Sequence, residues 1–295
     1  MKKKVGFIGL GKMGQPMAKR LLEAQFPLLI WNRTGAKTHD LAKEGGVTSN
    51  SAKELAAQAD VIITMVSDGY ALKAIAFGDD GIIAGAKSGT ILVDMSTVDP
   101  NGSSEVAKAA EKRGVKMLRA PVMGSVGWAA TGELTVLASG DKDAYEQCQN
   151  LFDAMAQKTY YLGPGEEARY MKLATNAMLG VTCQMLAEVL TLGEKAGLDL
   201  DQMIEIIGEG GLASPFINVK LGSIAKRDFT SMFTGSMMAK DYDLVLDASN
   251  KLDVLMPTVS LVRQFLGGLK ATGRGELDFS ALFLLMEELS GVKQE

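Results

Sequence analysis

Val5-Gly-Phe-Ile-Gly9-Leu-Gly11-Lys-Met-Gly14 joins a short apolar run to three glycines at Gly-x-Gly-x-x-Gly spacing, and residues 13–24 then continue as an amphipathic helix. Strand, glycine turn and helix in this order form the opening unit of a dinucleotide-binding fold. Each glycine has its own task. Gly9 permits the tight turn, Gly11 lets the backbone approach a pyrophosphate, and Gly14 allows the helix to pack closely on the strand. The N–H groups of the helix start and the positive end of its dipole then face the phosphates, with Leu10, Lys12 and Met13 completing the cofactor-binding turn. A glycine-rich turn without a ligand is the plainer alternative.

Working outward, further apolar runs at residues 27–31, 61–66, 91–94, 116–119, 133–138 and 159–162 alternate with helix-like stretches. Such alternation implies right-handed crossovers and a largely parallel sheet covered by helices on both faces. It stops at Gly163-Pro-Gly165. Beyond that point helical patterns occupy residues 168–194, 199–209, 239–251, 257–271 and 279–289. The expected fold is therefore α/β: a doubly wound Rossmann domain over residues 1–163, which binds NADP, then an all-α domain over residues 164–295 for substrate and oligomerisation, joined by a long interdomain helix. A chain of 295 residues is long enough for two separate cores. The long apolar helix must be covered on most sides, and a second subunit is a reasonable cover. A homodimer or homotetramer is the expected state.

Composition narrows the partners. A net charge of −4 gives no broad basic field, so binding to nucleic acid or to an anionic membrane is not expected. Cys148 and Cys183 cannot build a disulfide framework and lack metal-ligand spacing; no metal is expected, and the chain reads as reduced and cytoplasmic. Met1-Lys-Lys-Lys4 resembles the start of a signal peptide, but glycines and Lys12 break the apolar run behind it, so it reads as a lead into the first strand. No stretch is expected to span a membrane, because residues 168–194 include Lys172, Asn176, Glu188 and Glu194.

The second apolar run ends in Trp31-Asn32-Arg33-Thr34, where a site preferring NAD would place a carboxylate for the ribose hydroxyls. Here Arg33 can pair with a 2′-phosphate, and Asn32 and Thr34 can hydrogen-bond around it, so NADP(H) is favoured over NAD(H). The alternative is an arginine that meets only solvent. Met65, Val66 and Ser67 follow the next run, and Ser96 and Thr97 follow Asp94. Ligands of doubly wound sheets bind beyond the carboxyl ends of the strands, which sets both segments along the nicotinamide half of the cofactor.

His39 is the only histidine and sits on an expected solvated helix, so proton chemistry must fall to another group. Lys172, in Gly163-Pro-Gly-Glu-Glu-Ala-Arg-Tyr-Met-Lys172-Leu-Ala-Thr-Asn176, is the leading candidate. The alternative is a surface lysine on a helix that crosses the domain boundary.

Gly6–Ala18, Asp94-Met-Ser-Thr97, Ala120-Pro-Val-Met-Gly-Ser125, the Lys172/Asn176 segment and Ala239-Lys240-Asp241 together resemble the β-hydroxyacid dehydrogenase family, over nearly the whole chain. That family includes 3-hydroxyisobutyrate dehydrogenases and glyoxylate/succinic semialdehyde reductases. The resemblance implies hydride transfer between a nicotinamide and a carbonyl carbon, with Lys172 as general acid in reduction and general base in oxidation. The base role needs a neutral amine, which burial beside a cationic cofactor favours. Asn176, one helical turn further on, would bind substrate or orient the lysine. The resemblance also makes Met123, Gly124 and Ser125 the loop that grips a substrate carboxylate. Met123 replaces the usual serine and Ser125 the second glycine, which argues for a less hydroxylated or longer substrate. Lys240 would lie near the nicotinamide ribose, Asp241 beside the substrate, and Phe233 on an apolar pocket wall. Trp128 would either close the pocket or cover the loop.

The implied substrates are small aldehyde acids: succinic semialdehyde, glyoxylate, or methylmalonate semialdehyde with its 3-hydroxyisobutyrate partner. Imine reductases, which generally replace the lysine, are the competing enzymes. A dinucleotide-binding module without catalysis is the competing non-enzyme.

Overall fold

The computed structural model describes residues 2–292. Met1, part of the expected charged lead, and residues 293–295 of the expected helical domain lie outside the described residues. By its internal contacts the chain divides into two compact units, Met1–Lys172 and Leu173–Glu295.

The first unit is built on nine strands: β1 (Val5–Ile8), β2 (Leu28–Trp31), β3 (Val47–Thr48), β4 (Val61–Thr64), β5 (Ile91–Asp94), β6 (Lys116–Arg119), β7 (Val122–Met123), β8 (Leu134–Gly140) and β9 (Ala156–Tyr161). Strands β3-β2-β1-β4-β5-β6 lie in that order and are parallel. β8 runs antiparallel to β6 and β7, while β9 is parallel to β8. The chain order reverses between β1 and β4, and the crevice outside their carboxyl ends is where such sheets hold ligands.

Residues of β1, β4 and β5 are buried throughout, which is why these strands read as unbroken apolar runs. Alternation along each strand feeds two layers. Val5, Phe7, Ile63 and Val93 enter one core with Leu21 and Phe152; Ile8, Ile62 and Leu92 enter the other with Leu55 and Val106. The sheet is thus covered on both faces, as a doubly wound fold requires.

The second unit is helical. The long helix Glu167–Lys195 is followed by Leu200–Glu209, Pro215–Ala225, Gly235–Lys251, Pro257–Ala271 and Leu282–Leu289, around a core that includes Leu186, Leu190, Tyr242, Leu266 and Phe283. The division at Lys172 falls later than the expected Gly163. Its cause is local: the Ala168 N–H donates to Ser139 Oγ at 3.2 Å and the Arg169 side chain bonds to the ends of the sheet, so the first turn of the helix belongs to the first unit.

One expectation is corrected. At 29 residues, the long helix does reach the length and apolarity of a membrane-crossing segment, despite Lys172 and Asn176. Half of its most apolar window is buried within the protein, and Leu173, Cys183, Leu186 and Leu190 belong to the core of the second unit.

Candidate active site

The glycine turn is shaped by three different constraints. Gly9 has φ +100°, and a Cβ there would stand 2.2 Å from the Met65 carbonyl oxygen at the end of β4. At Gly14 a Cβ would stand 1.9 Å from the Gly9 oxygen. At Gly11 it would meet nothing within 4 Å. Packing therefore excludes side chains at Gly9 and Gly14, whereas Gly11 borders open space. The helix Gly14–Glu23 has no side-chain cap and no acidic residue in its first turn, which suits an anion at its start.

Asn32 braces this turn. Its Oδ1 accepts from the Leu10 N–H at 2.9 Å and its Nδ2 donates to the Thr34 oxygen at 2.9 Å. These bonds tie the turn to the end of β2 and engage the amide expected to surround a 2′-phosphate. Arg33 and Thr34 beside it are exposed, as is Lys12, while Met13 packs partly buried against the core. No carboxylate stands at the end of β2.

A buried polar network closes the ends of β4 and β5. Asp94 Oδ1 accepts from Thr64 Oγ1 and from Ser96 Oγ, both at 2.6 Å. Ser96 Oγ in turn accepts from the Val66 N–H at 2.9 Å. Ser96 is wholly buried, and its hydroxyl joins the two strand ends to each other. Met65, Val66 and Thr97 are half-buried and Ser67 is exposed along the same edge.

Arg169 completes the network. Its Nη1 donates to the Ser96 oxygen at 2.6 Å, its Nε to Ser103 Oγ at 3.3 Å, and its Nη2 to Asp94 Oδ2. Neither Arg169 nor Asp94 stands out as a functional residue from sequence, although an aspartate closing a wholly apolar strand is a signal there.

Lys172 lies three residues beyond Arg169 and is half-buried. Asn176 is buried within the second unit, and its Nδ2 donates to Asp241 Oδ2 at 2.6 Å; Lys240 Nζ lies 2.8 Å from Asp241 Oδ1. The amide is thus directed at an aspartate. Asp241, only 1% exposed, is committed to Asn176 and Lys240. It holds these two neighbours in place. Phe233 is half-buried, meets Phe279 edge-on at 6.2 Å, and donates its N–H to Asp278 Oδ2 at 3.2 Å.

In the acid-binding loop expected from the sequence, Gly124 has φ +133°, and a Cβ there would stand 2.7 Å from Leu134 Cδ2 and 3.1 Å from Trp128 Cε3. The Trp128 ring therefore lies against the loop while remaining 49% exposed. Met123 and Ser125 are half-buried, and the Ser125 hydroxyl makes no capping bond to the helix Val126–Thr131.

Other reactive groups are withdrawn. His39 is exposed. Burial pushes the Cys148 thiol up to about 12 and raises that of Cys183 as well, against the opposing charge of Lys220, so neither supplies a thiolate at neutral pH. Among the described residues, no group of three or more His, Cys, Asp or Glu side chains is arranged to hold a metal.

Residues 4–163 match the NAD binding domain of 6-phosphogluconate dehydrogenase, and residues 167–286 match the NAD-binding domain of NADP-dependent 3-hydroxyisobutyrate dehydrogenase. The 2-(hydroxymethyl)glutarate dehydrogenase of Eubacterium barkeri is 31% identical, covering 98% of this chain and 96% of its own. Glyoxylate/succinic semialdehyde reductase 1 of Arabidopsis thaliana is 32% identical, over 94% of this chain and 96% of its own. The 3-hydroxyisobutyrate dehydrogenase of Mycobacterium tuberculosis, solved with L-serine, superposes with a TM-score of 0.89 at 28% identity, over 97% of this chain and 99% of that one. An imine reductase from Pseudomonas sp. shares the fold at a TM-score of 0.62 and 23% identity, over 97% of this chain and all (100%) of that one. With both halves of the chain matched and full-length relatives above 30% identity, the protein belongs to the β-hydroxyacid dehydrogenase family of NAD(P)-dependent oxidoreductases.

Proposed function

We propose that the protein is an NADP(H)-dependent reductase of small aldehyde acids, with succinic semialdehyde, glyoxylate and methylmalonate semialdehyde as the first substrates to test. The observation that carries this reading is Lys172, a half-buried amine on the helix whose first turn is bonded to the end of β5. The nicotinamide, when bound, supplies the hydride in reduction and accepts it in oxidation. Lys172 gives a proton to the carbonyl oxygen in the first direction and takes one from the hydroxyl in the second. Backbone N–H groups around Gly124 and the Ser125 hydroxyl hold the substrate carboxylate, while Met123 and Trp128 favour a chain with few hydroxyls. Preference for NADP(H) is supported by the exposed Arg33 at a strand end without a carboxylate. Exposed Thr34 adds a hydroxyl there; Lys240 is assigned to the cofactor ribose.

A panel of short aldehyde acids and cyclic imines, assayed with NADPH and NADH, tests the reading. Lys172→Ala is expected to abolish turnover and leave NADPH affinity intact; loss of both makes the lysine structural. Arg33→Asp is expected to move preference toward NADH by about 10- to 100-fold, the loss of one hydrogen-bonded charge pair. Unchanged preference removes the 2′-phosphate argument. A cyclic imine reduced faster than any aldehyde acid assigns the chain to imine reduction, and NADPH binding without turnover assigns it to binding alone.

The same reading includes a homo-oligomer in a cytoplasmic setting. Met171, Met178, Met185, Val189 and Leu192 form an exposed apolar stripe along the long helix. An antiparallel copy about a two-fold axis between Val181 and Thr182 would set Met171 against Leu192, Met178 against Met185 and Ala174 against Val189, a self-complementary contact. The cytoplasmic setting is supported by two buried cysteines that form no disulfide.

A further inference from the structure

We propose that Arg169 is a positioning residue for the chemistry of this site, an inference that rests on the reading of Lys172 as the proton carrier. Arg169 is 1% exposed, and its three nitrogens are all engaged in the first unit: Nη2 on Asp94 Oδ2, Nη1 on the Ser96 oxygen at 2.6 Å and Nε on Ser103 Oγ at 3.3 Å. Asp94 and Ser96 carry the constraint further. Asp94 holds Thr64 at the end of β4, and Ser96 holds the Val66 N–H, so one guanidinium fixes both strand ends that lead to Met65, Val66 and Thr97.

The same guanidinium fixes the helix. Arg169 sits in its first turn, and Ala168 and Ser139 add a second tie. Lys172 follows three residues later, so less than one turn of helix separates the clamp from the amine. A helix turn is stiff, and the direction in which Lys172 leaves the backbone is set by how Arg169 is seated. The planar fork is essential to this role. A lysine at 169 keeps the charge but offers one ammonium group where the structure uses three separated donors.

This geometry explains why a cation is buried here. Removing water from an ion pair is costly, and the pair alone is weak support for the fold. Its remaining donors go to the Ser96 backbone oxygen just beyond β5 and to the Ser103 hydroxyl on the helix Pro100–Glu111, which gives it directional control over the segments that carry the chemistry.

The test compares Arg169→Lys with the parent protein by three measurements: NADPH affinity, kcat on the best aldehyde acid of the panel, and the pH profile of Lys172 acetylation. The last is read by competitive labelling and mass spectrometry on protein without cofactor. The expected result is NADPH affinity near that of the parent, kcat lower by on the order of 100-fold, as for a misplaced catalytic group, and a displaced labelling profile. An unchanged labelling profile overturns the proposal whatever happens to kcat. A displaced profile together with a fully active Lys172→Ala protein upholds the positioning role and defeats the reading of Lys172 instead. Should Arg169→Lys not fold, the charge-neutral pair Arg169→Met with Asp94→Asn takes its place, with the same two outcomes for the labelling profile.

Discussion

Arg169 with Asp94 in the first unit, and Lys220 with Asp278 in the second, are ion pairs of similar burial, with side-chain exposures of 1% and 0% against 4% and 3%. They differ in what else each group binds. Asp94 gathers Thr64 and Ser96, and Arg169 adds Ser103, so the first pair holds strand ends and the start of the long helix. Asp278 accepts from the Ser280 N–H and hydroxyl and from the N–H groups of Met232 and Phe233, while Lys220 lies 4.4 Å from the Phe279 ring centroid. The second pair organises a turn inside a helical core. Similar charge chemistry therefore serves two ends, and the neighbours of a buried pair, rather than the pair, tell which end is served.

The largest effect that sharpens this contrast is expected in the second unit. Lys220→Met leaves the Asp278 carboxylate buried without its cation, which costs about 3–5 kcal/mol of stability. Urea unfolding measures it, and kcat of the folded fraction should match the parent. A variant of parental stability but lowered kcat would erase the distinction between the two pairs.

Within the first unit the glycine turn offers a smaller, internal version of the comparison. Gly14→Ala forces a Cβ to within 1.9 Å of the Gly9 oxygen, and relief by backbone shifts costs about 1–3 kcal/mol. Gly11→Ala meets open space, so its thermal unfolding should stay near that of the parent while NADPH affinity drops. Parental affinity in Gly11→Ala would show that the open space is not where the pyrophosphate lies.

These contrasts also show what sequence could and could not reveal. The strand, turn and helix of residues 5–24 were legible because buried parallel strands are continuous apolar runs and the glycine spacing has a steric cause. β3 and β7 were not, since two residues establish no periodicity. The helix Pro215–Ala225 was missed although Ser214, which caps the Ile217 N–H, and Pro215 at the first position mark a helix start. Lys172 stood out in a chain with one histidine. Ser96 and Asp241 stand out as ligand candidates because polar residues beside a motif invite that reading, and the fold adds the hydrogen bonds that hold their oxygens. Arg169 was passed over for the opposite reason, because a charged residue on a helix suggests solvent until its partner, far away in sequence, is known.

The smallest expected effect concerns another polar group of the helical unit. Glu194 has a carboxyl raised above its ordinary value of 4.5, first by burial and then by the charge of Glu287, with Arg227 opposing. Its Oε2 is buried and finds no hydrogen-bond donor among the described residues, because Arg227 is held by both oxygens of Glu287 at 3.0 and 2.6 Å. Above the raised folded value the carboxylate is charged in the folded and unfolded chain alike, and the folded state bears the cost. As the pH falls through the raised folded value, the proton binds the folded protein first, and the cost is gone below the unfolded value. Glu194→Gln should accordingly unfold at a slightly higher temperature than the parent above the raised folded value, and the gap should close as the pH drops through that value toward the ordinary 4.5. Turnover and NADPH affinity should not change. A gap that widens on acidification would mean the carboxylate stabilises the fold as an anion, and the helical unit would then hold a charged contact of the kind assigned so far to Lys220 and Asp278.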